Sequence, residues 1–368
     1  MNPSENDQPL YVTTPFFPPI EEYVECLQQI WASRQLTNQG PYVCQLEQGL
    51  KEHLGVENVI AVSNGDAGLR IALRALEITG EVITTPFSYV STTSSLLWTG
   101  LKPVFCDVEP DTLTIDPGKI EAAITRDTTA IMATHVFGNP CDVERLAEIA
   151  AEHDLKLIYD AAHAFGVEYR GNSVLKYGDI SMVSLHATKI FHAAEGGILA
   201  TKDSGLAALV EWRRRFGHNG TLEFHGPGIN AKMSELNAAM GVCVLRHFEE
   251  IKQRRAVACR TYDSLLSEAG VDISKPVLRD GTEWNYSYYP VLFSSGSELS
   301  RAFENLEANN IFPRRYFYPS LNTVRQLGSF GSMPVSEDAA SRVACLPLSH
   351  ALPEDRIRQI VSIIAGSN

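Results

Sequence analysis

The sequence has 368 residues, of which 44% are hydrophobic and 20% are charged, as in an ordinary globular protein. A chain of this length accommodates one large domain and one smaller domain. Its 31 basic and 44 acidic residues give a formal net charge of −13. Because nucleic acids and anionic membranes repel such a surface, general binding to either is disfavoured. A small anionic ligand is still compatible with this charge, since a pocket can be locally basic.

The N-terminal sequence MNPSENDQPL lacks the basic and apolar regions of a signal peptide. No apolar run reaches the roughly 18 residues that a membrane span requires. Seven cysteines are scattered singly, without a CxxC pair. Such spacing is typical of reduced thiols that serve as small buried apolar side chains, and it predicts a cytoplasmic protein.

Short β-branched runs alternate with helical patterns from residue 57 to residue 202. We predict strands at 57–63, 81–86, 102–108, 129–138, 155–160, 180–189 and 196–202. We predict helices at 67–77, 91–100, 120–124 and 142–154. This alternation indicates an α/β fold with a large, mainly parallel sheet that helices cover on both faces.

The composition changes near residue 245. A long charged helix is predicted at 246–269, and it is followed by a strand at 285–293 and by helices at 297–309 and 353–364. These elements predict a smaller C-terminal α/β domain over 246–368, joined by an N-terminal arm of residues 1–14. The large domain then covers residues 15–245.

One predicted strand ends on an acid, and the next predicted strand ends on a lysine. Asp160 closes LKLIYD, at the strand end where parallel sheets bind ligands, and Lys189 closes SLHATK. Pyridoxal 5'-phosphate (PLP) requires such a pair. A lysine amine forms the Schiff base with its aldehyde, and a carboxylate keeps the ring nitrogen protonated. The displaced lysine can also move a proton between the substrate and the cofactor.

Five motifs occur in order along the chain: SNGDAGLRIAL, ITTPFSYVSTTSSLLWTGLKPVFCDV, YDAAHAFG, SLHATK with EGG, and GINAKMSELNAAMG. In them the sequence resembles the DegT/DnrJ/EryC1/StrS family of sugar aminotransferases, over residues 36–357. The resemblance implies a PLP-dependent transferase of the aspartate aminotransferase type (fold type I). It also implies transfer of an amino group from L-glutamate to a nucleotide-linked keto sugar.

The segments HATK, NYSYYPVLF and IWASRQLTNQGP resemble one branch of that family. This branch converts dTDP-4-keto-6-deoxyglucose to dTDP-4-amino-4,6-dideoxyglucose. The resemblance therefore favours amination at C4 in the biosynthesis of a deoxyamino sugar for a polysaccharide such as an O-antigen.

Carried over residue by residue, the resemblance assigns roles around the cofactor. Lys189 becomes the Schiff-base lysine, and Asp160 becomes the partner of the ring nitrogen. Tyr89 is expected to stack on the ring, His163 to lie near the ring oxygen, and Ser184 to bind the phosphate.

Two further assignments concern the phosphate and the partner subunit. Backbone N–H groups in the turn Gly65-Asp66-Ala67 suit a phosphate at the start of a helix. The family usually has threonine in place of Asp66, and a carboxylate repels a phosphate. We therefore expect Asp66 to act as an N-cap, which leaves the amides of Gly65 and Ala67 for the anion. Asn230 is expected to reach the cofactor of the neighbouring subunit, which predicts a homodimer with shared active sites.

Candidate substrate-binding residues are basic, or they match family positions near the sugar nucleotide. They are Tyr89, His186, Glu195, Lys232, Arg314 and Arg315. The basic run 213–215 is interpreted instead as a solvated helix end. No metal site is expected, because the histidines lack the spacing of metal ligands.

Several alternatives stay open. Amination at C3 of a dTDP-3-keto-6-deoxyhexose is the nearest one. Sugar dehydratases of the same fold have histidine in place of the lysine, so Lys189 disfavours that class. A non-catalytic family member should have lost the Lys–Asp pair, which is intact here. A dinucleotide-dependent dehydrogenase is disfavoured because no GxGxxG follows the first strand. The nucleotide and the stereochemistry also remain open.

Overall fold

The computed structural model describes residues 8–366, so residues 1–7 of the predicted N-terminal arm lie outside the described residues. The strands are β1 (Leu10–Tyr11), β2 (Asn58–Val62), β3 (Glu81–Thr84), β4 (Lys102–Phe105), β5 (Thr128–Thr134), β6 (Lys156–Asp160), β7 (Glu168–Tyr169), β8 (Asn172–Ser173), β9 (Ile180–Ser184), β10 (Gly197–Thr201), β11 (His218–Asn219), β12 (Glu223–Phe224), β13 (Ile273–Ser274), β14 (Thr282–Glu283), β15 (Tyr289–Phe293), β16 (Ile311–Phe312) and β17 (Val343–Leu346). The helices are α1 (Ile20–Ser33), α2 (Pro41–Leu54), α3 (Gly65–Ala75), α4 (Val90–Trp98), α5 (Val143–Glu152), α6 (Ser204–Arg213), α7 (Glu235–Arg246), α8 (Phe248–Glu268), α9 (Gly296–Glu307), α10 (Pro334–Arg342) and α11 (Glu354–Ala365).

The main sheet has seven strands within residues 8–366, in the order β2-β10-β9-β6-β5-β3-β4. Strand β10 runs antiparallel to both of its neighbours, and the other neighbouring pairs are parallel. The carboxyl ends of the parallel strands therefore lie at one end of the sheet, together with the start of β10. This arrangement confirms the predicted α/β fold with a mainly parallel sheet.

Successive residues of β2 enter two different cores. Val59 and Ala61 belong to a cluster that includes residues of α2 and α7, whereas Ile60 and Val62 belong to a cluster with residues of α3 and α6. Because neighbouring side chains of a strand point to opposite faces, helices cover both faces of the sheet. The continuous apolar run of the strand follows from this double burial.

A separate core lies in the C-terminal part of the chain. The antiparallel sheet β13-β15-β17 packs with helices α8, α9 and α11, and Tyr262, Leu299 and Ile360 are buried among them. The described part of the N-terminal arm joins this region, because β1 pairs in parallel with β16. These contacts support a division into residues 15–245 and 246–368, which stays a prediction.

Several of the predicted elements are wrong in their extent; for example, the strand predicted at 129–138 ends at Thr134, and the one predicted at 285–293 begins at Tyr289. Residues 120–124 do not form an α-helix, because Ile124 adopts an extended backbone after two short 3-10 turns. The strand predicted at 180–189 ends at Ser184, which is paired with Gly197 at the first residue of β10. The charged helix begins at Phe248, since His247 separates it from α7.

The seven cysteines are free thiols, and six of them are buried as expected. Cys44 is the exception, because it lies on an exposed position of α2. Within the described range, every helix is either too short or too polar to traverse a lipid bilayer.

Candidate active site

A cavity of about 380 Å³ lies at the carboxyl end of the main sheet, within the usual size range of small-molecule sites. Lys189 and Asp160 both line it. The other predicted residues that line it are Gly65, Asp66, Tyr89, His163, Ser184, His186, Glu195 and Arg314. They come from the start of α3, the start of α4, the turn after β6, the loop between β9 and β10, and the segment after β16. The parallel topology brings these distant segments together.

Four predicted residues are not among those that line the cavity: Ala67, Asn230, Lys232 and Arg315. Asn230 is exposed, and its Oδ1 accepts a hydrogen bond from Lys232 Nζ at 2.6 Å. Arg315 donates to two carbonyl oxygens in the last turn of α10, which directs its guanidinium away from the cavity.

Lys189 lies in the loop after β9. Its Nζ donates to the hydroxyl oxygen of Tyr288 at 3.4 Å. Burial lowers the pKa of this amine, and the charges of Tyr316, Asp160 and Tyr89 oppose the effect. Because the neutral amine is the nucleophilic form, burial prepares Lys189 for covalent chemistry.

Asp160 is the last residue of β6 and is only 4% exposed. Its Oδ2 accepts a hydrogen bond from the Thr92 hydroxyl at 2.7 Å, and its Oδ1 accepts one from the Ala162 N–H at 3.1 Å. Burial raises the pKa of Asp160, while these two bonds and the charge of Lys189 lower it. Both donors are neutral, so a cationic group in the cavity would meet a buried carboxylate that is ready to pair with it.

His163 is enclosed by aromatic rings. Its ring is nearly parallel to that of Phe317, with the centroids 5.6 Å apart, and its centroid lies 4.8 Å from that of Tyr288. Burial, with a smaller contribution from Lys189, holds its pKa well below the usual value. Since Nδ1 accepts a hydrogen bond from the Phe137 N–H, the neutral ring carries its hydrogen on Nε2. This leaves Nε2–H free to donate to a ligand oxygen.

The start of α3 differs from the prediction. Asn64 is the N-cap, and its Oδ1 accepts from the Ala67 N–H at 2.8 Å. An N-cap role for Asp66 is wrong, because Asp66 is already the second residue of the helix. The amide of Ala67 is therefore used in the cap. The N–H groups of Gly65 and Asp66, which have no acceptor within the helix, are the ones available to an anion.

The Asp66 side chain is turned toward two neighbours. It accepts a hydrogen bond from the Ser91 hydroxyl at 2.9 Å, and it forms an ion pair with Arg70 one turn further along α3. The guanidinium carbon of Arg70 lies 5.1 Å from the ring centroid of Trp98. The negative charge of Asp66 is thus offset locally.

Tyr89, His186 and Glu195 occupy the wall of the cavity. Tyr89 is 58% exposed, so it is not a core aromatic. His186 Nε2 lies 3.5 Å from a carboxylate oxygen of Glu195, and its Nδ1 is 2.8 Å from the Thr188 hydroxyl. The Oγ of Ser184 is near the same loop, 3.4 Å from the His186 amide. Within residues 8–366, no three His, Cys, Asp or Glu side chains are grouped as metal ligands.

The basic run 213–215 is not a solvated helix end, because Arg214 is 1% exposed. Its guanidinium forms ion pairs with Glu47, at 2.7 Å, and with Glu211, and it also donates to the Ala61 carbonyl. Ala61 precedes the turn that starts α3. Arg214 therefore anchors the end of β2 beside the cavity.

Several residues that were not predicted from the sequence contact the central pair or shape its surroundings. They are Asn64, Ser88, Thr92, Tyr288 and Tyr316. Ser88 and Thr92 flank Tyr89 in PFSYVSTT, and Tyr288 lies in NYSYY, so proximity to named motifs was an available signal. Tyr316 follows Arg314 by two positions, but nothing in the sequence indicates its approach to Lys189.

The sequence matches the model of the DegT/DnrJ/EryC1/StrS aminotransferase family over residues 20–365. The chain belongs to this family. A dTDP-4-amino-4,6-dideoxy-D-glucose transaminase of Shigella dysenteriae is 43% identical, over 97% of this chain and 99% of that protein. One from Escherichia coli is 39% identical, over 98% and 99% of the two chains.

A solved structure of DesI, determined in the presence of its TDP-sugar product, superposes with a TM-score of 0.92. It is 33% identical, and the match covers 98% of this chain and 93% of that one. Family membership and this likeness confirm the predicted aminotransferase class and fold type I.

Proposed function

We propose that this aminotransferase moves the amino group of L-glutamate, by way of bound PLP, to C4 of dTDP-4-keto-6-deoxyglucose. The product is dTDP-4-amino-4,6-dideoxyglucose. One observation carries the proposal: the amine of Lys189 and the carboxylate of Asp160 line the same cavity, where Asp160 is buried and Lys189 is half-buried. The names of the Shigella and E. coli relatives support this sugar and this carbon.

The residues around the cavity fit the three parts of PLP. Lys189 would hold the aldehyde end, and Asp160 would pair with the ring nitrogen. The amides of Gly65 and Asp66, with the Ser184 hydroxyl, would hold the phosphate at the start of α3. The cradle is narrow, since a Cβ on Gly197 would lie 2.8 Å from the carbonyl carbon of Asn64. Two further residues would complete the site, with Tyr89 covering the ring and His163 Nε2–H donating to the ring oxygen.

PLP supplies an aldehyde that carries the amino group and a ring that accepts electrons from the reacting carbon. Asp160 stays ionised through its two hydrogen bonds and holds a proton at the ring nitrogen. Burial lowers the pKa of the Lys189 amine, so it is neutral at a lower pH than an exposed lysine, and with PLP bound it would move the proton between the donor carbon and the cofactor carbon.

The substrate side rests on Arg314, His186 and Glu195. Arg314 supplies positive charge to the cavity of an otherwise acidic chain, and we assign it to the diphosphate. His186 and Glu195 are assigned to the sugar hydroxyls. Arg315 is left out of this set, because its guanidinium is engaged at α10.

We also propose a homodimer in which Asn230, with Lys232 beside it, reaches the partner's cofactor. Their position outside the cavity of their own chain supports this assignment. A cytoplasmic location is proposed as well, and the seven free thiols support it.

The decisive assay offers glutamate and a panel of dTDP-, UDP- and GDP-linked keto sugars, with the products identified by NMR. We expect amination at C4 of dTDP-4-keto-6-deoxyglucose. Amination at C3 of a dTDP-3-keto-6-deoxyhexose would instead support the alternative function, in which a different ring carbon is presented to Lys189. If the protein binds PLP but aminates none of these sugars, it is a non-catalytic member of the family.

Lys189→Ala tests the covalent role directly. Borohydride should fix PLP to the wild-type chain and to Lys202→Ala, a control at an exposed lysine beyond β10. It should not fix PLP to Lys189→Ala, as peptide mass spectrometry would show. A retained covalent link in that variant would remove Lys189 from its role.

A further inference from the structure

Three buried hydroxyl groups form a chain of hydrogen bonds that ends on Asp160. Thr92 Oγ1 donates to Asp160 Oδ2 at 2.7 Å. Ser88 Oγ lies 2.6 Å from Thr92 Oγ1, and Thr134 Oγ1 lies 3.1 Å from Ser88 Oγ. Ser88 and Thr92 belong to the segment that starts α4, and Thr134 ends β5. Each of the three residues is at most 4% exposed.

The carboxylate fixes the direction of this chain. A hydroxyl group has one hydrogen to donate, and an ionised carboxylate can only accept. The hydrogen of Thr92 is used on Asp160, so Ser88 must donate to Thr92, and Thr134 must donate to Ser88. All three dipoles then point their positive ends toward the carboxylate. Hydrogen bonds aligned in this way polarise one another and strengthen the last bond, which is charge-assisted.

We propose that Thr92 is a positioning residue that, backed by Ser88 and Thr134, keeps the buried Asp160 carboxylate ionised and oriented toward the cavity. Its consequence for the cofactor rests on the proposed function, since an ionised Asp160 is what holds the proton at the PLP ring nitrogen. The hydroxyl chain itself belongs to the protein without cofactor, where it can be tested separately.

The balance of forces on Asp160 explains why this support is needed. Burial raises the pKa of Asp160, and the Thr92 hydrogen bond is the largest of the opposing effects, ahead of the Ala162 N–H and the charge of Lys189. The other titratable groups that line the cavity are Asp66, Tyr89, His163, His186, Glu195, Arg314 and Tyr316. Lys189 contributes only while its amine is charged, and burial lowers the pKa of that amine. The Thr92 bond does not depend on that charge.

Thr92→Val removes the donor and nearly preserves the side-chain shape. We expect the pKa of Asp160 in the folded protein to rise by about one to two pH units, the effect of one charge-assisted hydrogen bond. A carboxyl group whose pKa is raised by folding costs stability once the pH exceeds its unfolded pKa. The loss of stability in Thr92→Val should therefore grow as the pH rises above the pKa of Asp160 in the folded wild-type protein, and level off above the pKa in the variant, as measured by urea unfolding of the apoprotein.

Thr93→Val is the matched control. Thr93 is the next residue of α4, is fully buried, and has a hydroxyl without a hydrogen-bond partner in the described part of the chain. Its substitution should change stability equally at every pH. Thr92→Ser keeps the donor and should behave as wild type. Ser88→Ala and Thr134→Val should show the pH-dependent loss in decreasing size, because they act on Asp160 through one and two intervening hydroxyls.

The holoenzyme gives a second readout. With PLP bound, Thr92→Val should lose the absorbance of the ring-protonated cofactor at a lower pH than wild type, while the cofactor remains bound. If Thr92→Val and Thr93→Val share one pH dependence in the apoprotein, the hydroxyl chain has no such role and the inference is overturned. Failure to bind PLP at Lys189 would instead overturn the proposed function and leave the apoprotein result standing.

Discussion

Burial acts on both Lys189 and Asp160, but their proposed roles require a neutral lysine and an ionised aspartate. Burial favours the neutral form of each, lowering the pKa of the lysine and raising that of the aspartate. A neutral lysine suits proton transfer, and within residues 8–366 the amine of Lys189 donates to a neutral hydroxyl, that of Tyr288, at 3.4 Å. A neutral aspartate could not hold the ring proton, so Asp160 receives donors on both of its oxygens. The difference in partners separates the two roles.

Asp160→Asn isolates the charge of this residue from its shape. The variant should retain PLP but lose turnover by about a hundredfold or more, because an amide cannot keep the ring nitrogen protonated. Cofactor content and kcat measure the two effects. Asp179→Asn is the control, since that carboxylate binds the Leu157 N–H near the opposite end of β6 and should not affect turnover. Near-normal turnover of Asp160→Asn would contradict the assignment.

At the scale of the element, the start of α3 carries an acid where an anion is expected. With PLP bound as proposed, the helix dipole and the free N–H groups would attract its phosphate and the Asp66 carboxylate would repel it. The Arg70 guanidinium, which is paired with Asp66, would offset that repulsion. Arg70→Ala should therefore weaken PLP binding by about tenfold, as measured by the equilibrium dissociation constant of PLP and the apoprotein. Arg74→Ala, on the last turn of the same helix, should leave binding unchanged.

A second substitution separates charge from folding in that test. Adding Asp66→Thr to Arg70→Ala removes the uncompensated carboxylate and should restore cofactor affinity close to wild type. High salt should also reduce the defect of Arg70→Ala alone, because ions screen the repulsion. If the double variant is as weak as Arg70→Ala, then Arg70 does not act by compensating Asp66.

The sequence predicted those elements whose chemistry follows from strand order. Asp160 could be placed at the carboxyl end of the sheet because it ends a predicted strand of a parallel α/β pattern. Ser184 was predicted only from the family resemblance, and the strand predicted at 180–189 runs past it. The N-cap was misassigned by two positions, since Asn64 and Asp66 are both good caps and only the backbone distinguishes them. Arg214 was misread because its carboxylate partner, Glu47, lies on α2, far away in the sequence. Tertiary pairing of this kind leaves no local signal.

At the scale of the whole molecule, the C-terminal part of the chain is tied to the reaction site. Arg255 of α8 donates to the carbonyl oxygens of Tyr286, at 2.8 Å, and of Ser287. Asn285 in the same segment donates to the carbonyl oxygen of His163 at 2.8 Å. These bonds hold Tyr288 against Lys189. The motif NYSYY therefore positions a side chain beside Lys189, and the segment after β16 adds Arg314, Tyr316 and Phe317 to the lining of the cavity.

The proposed sharing of active sites between two protomers leads to a prediction about the assembly. If Asn230 binds the partner's cofactor, Lys189→Ala damages the site of its own chain, whereas Asn230→Ala damages the site of the partner chain. A hybrid dimer of the two variants has one doubly damaged site and one site in which both residues are native. Mixing the two variants in equal amounts, with subunit exchange, should recover about a quarter of wild-type activity, because half of the dimers are hybrids with one intact site each.

The same mixture without subunit exchange is the control, and it should show only the residual activity of the two variants. A mixture of Lys189→Ala with Asp160→Asn is a second control. Both of those residues line the cavity of their own chain, so no hybrid of these two variants contains a native site. Recovery in the first mixture alone would establish that one protomer completes the other's site. If a monomer is active, or if the two mixtures recover the same activity after subunit exchange, each active site is built from the residues of one chain.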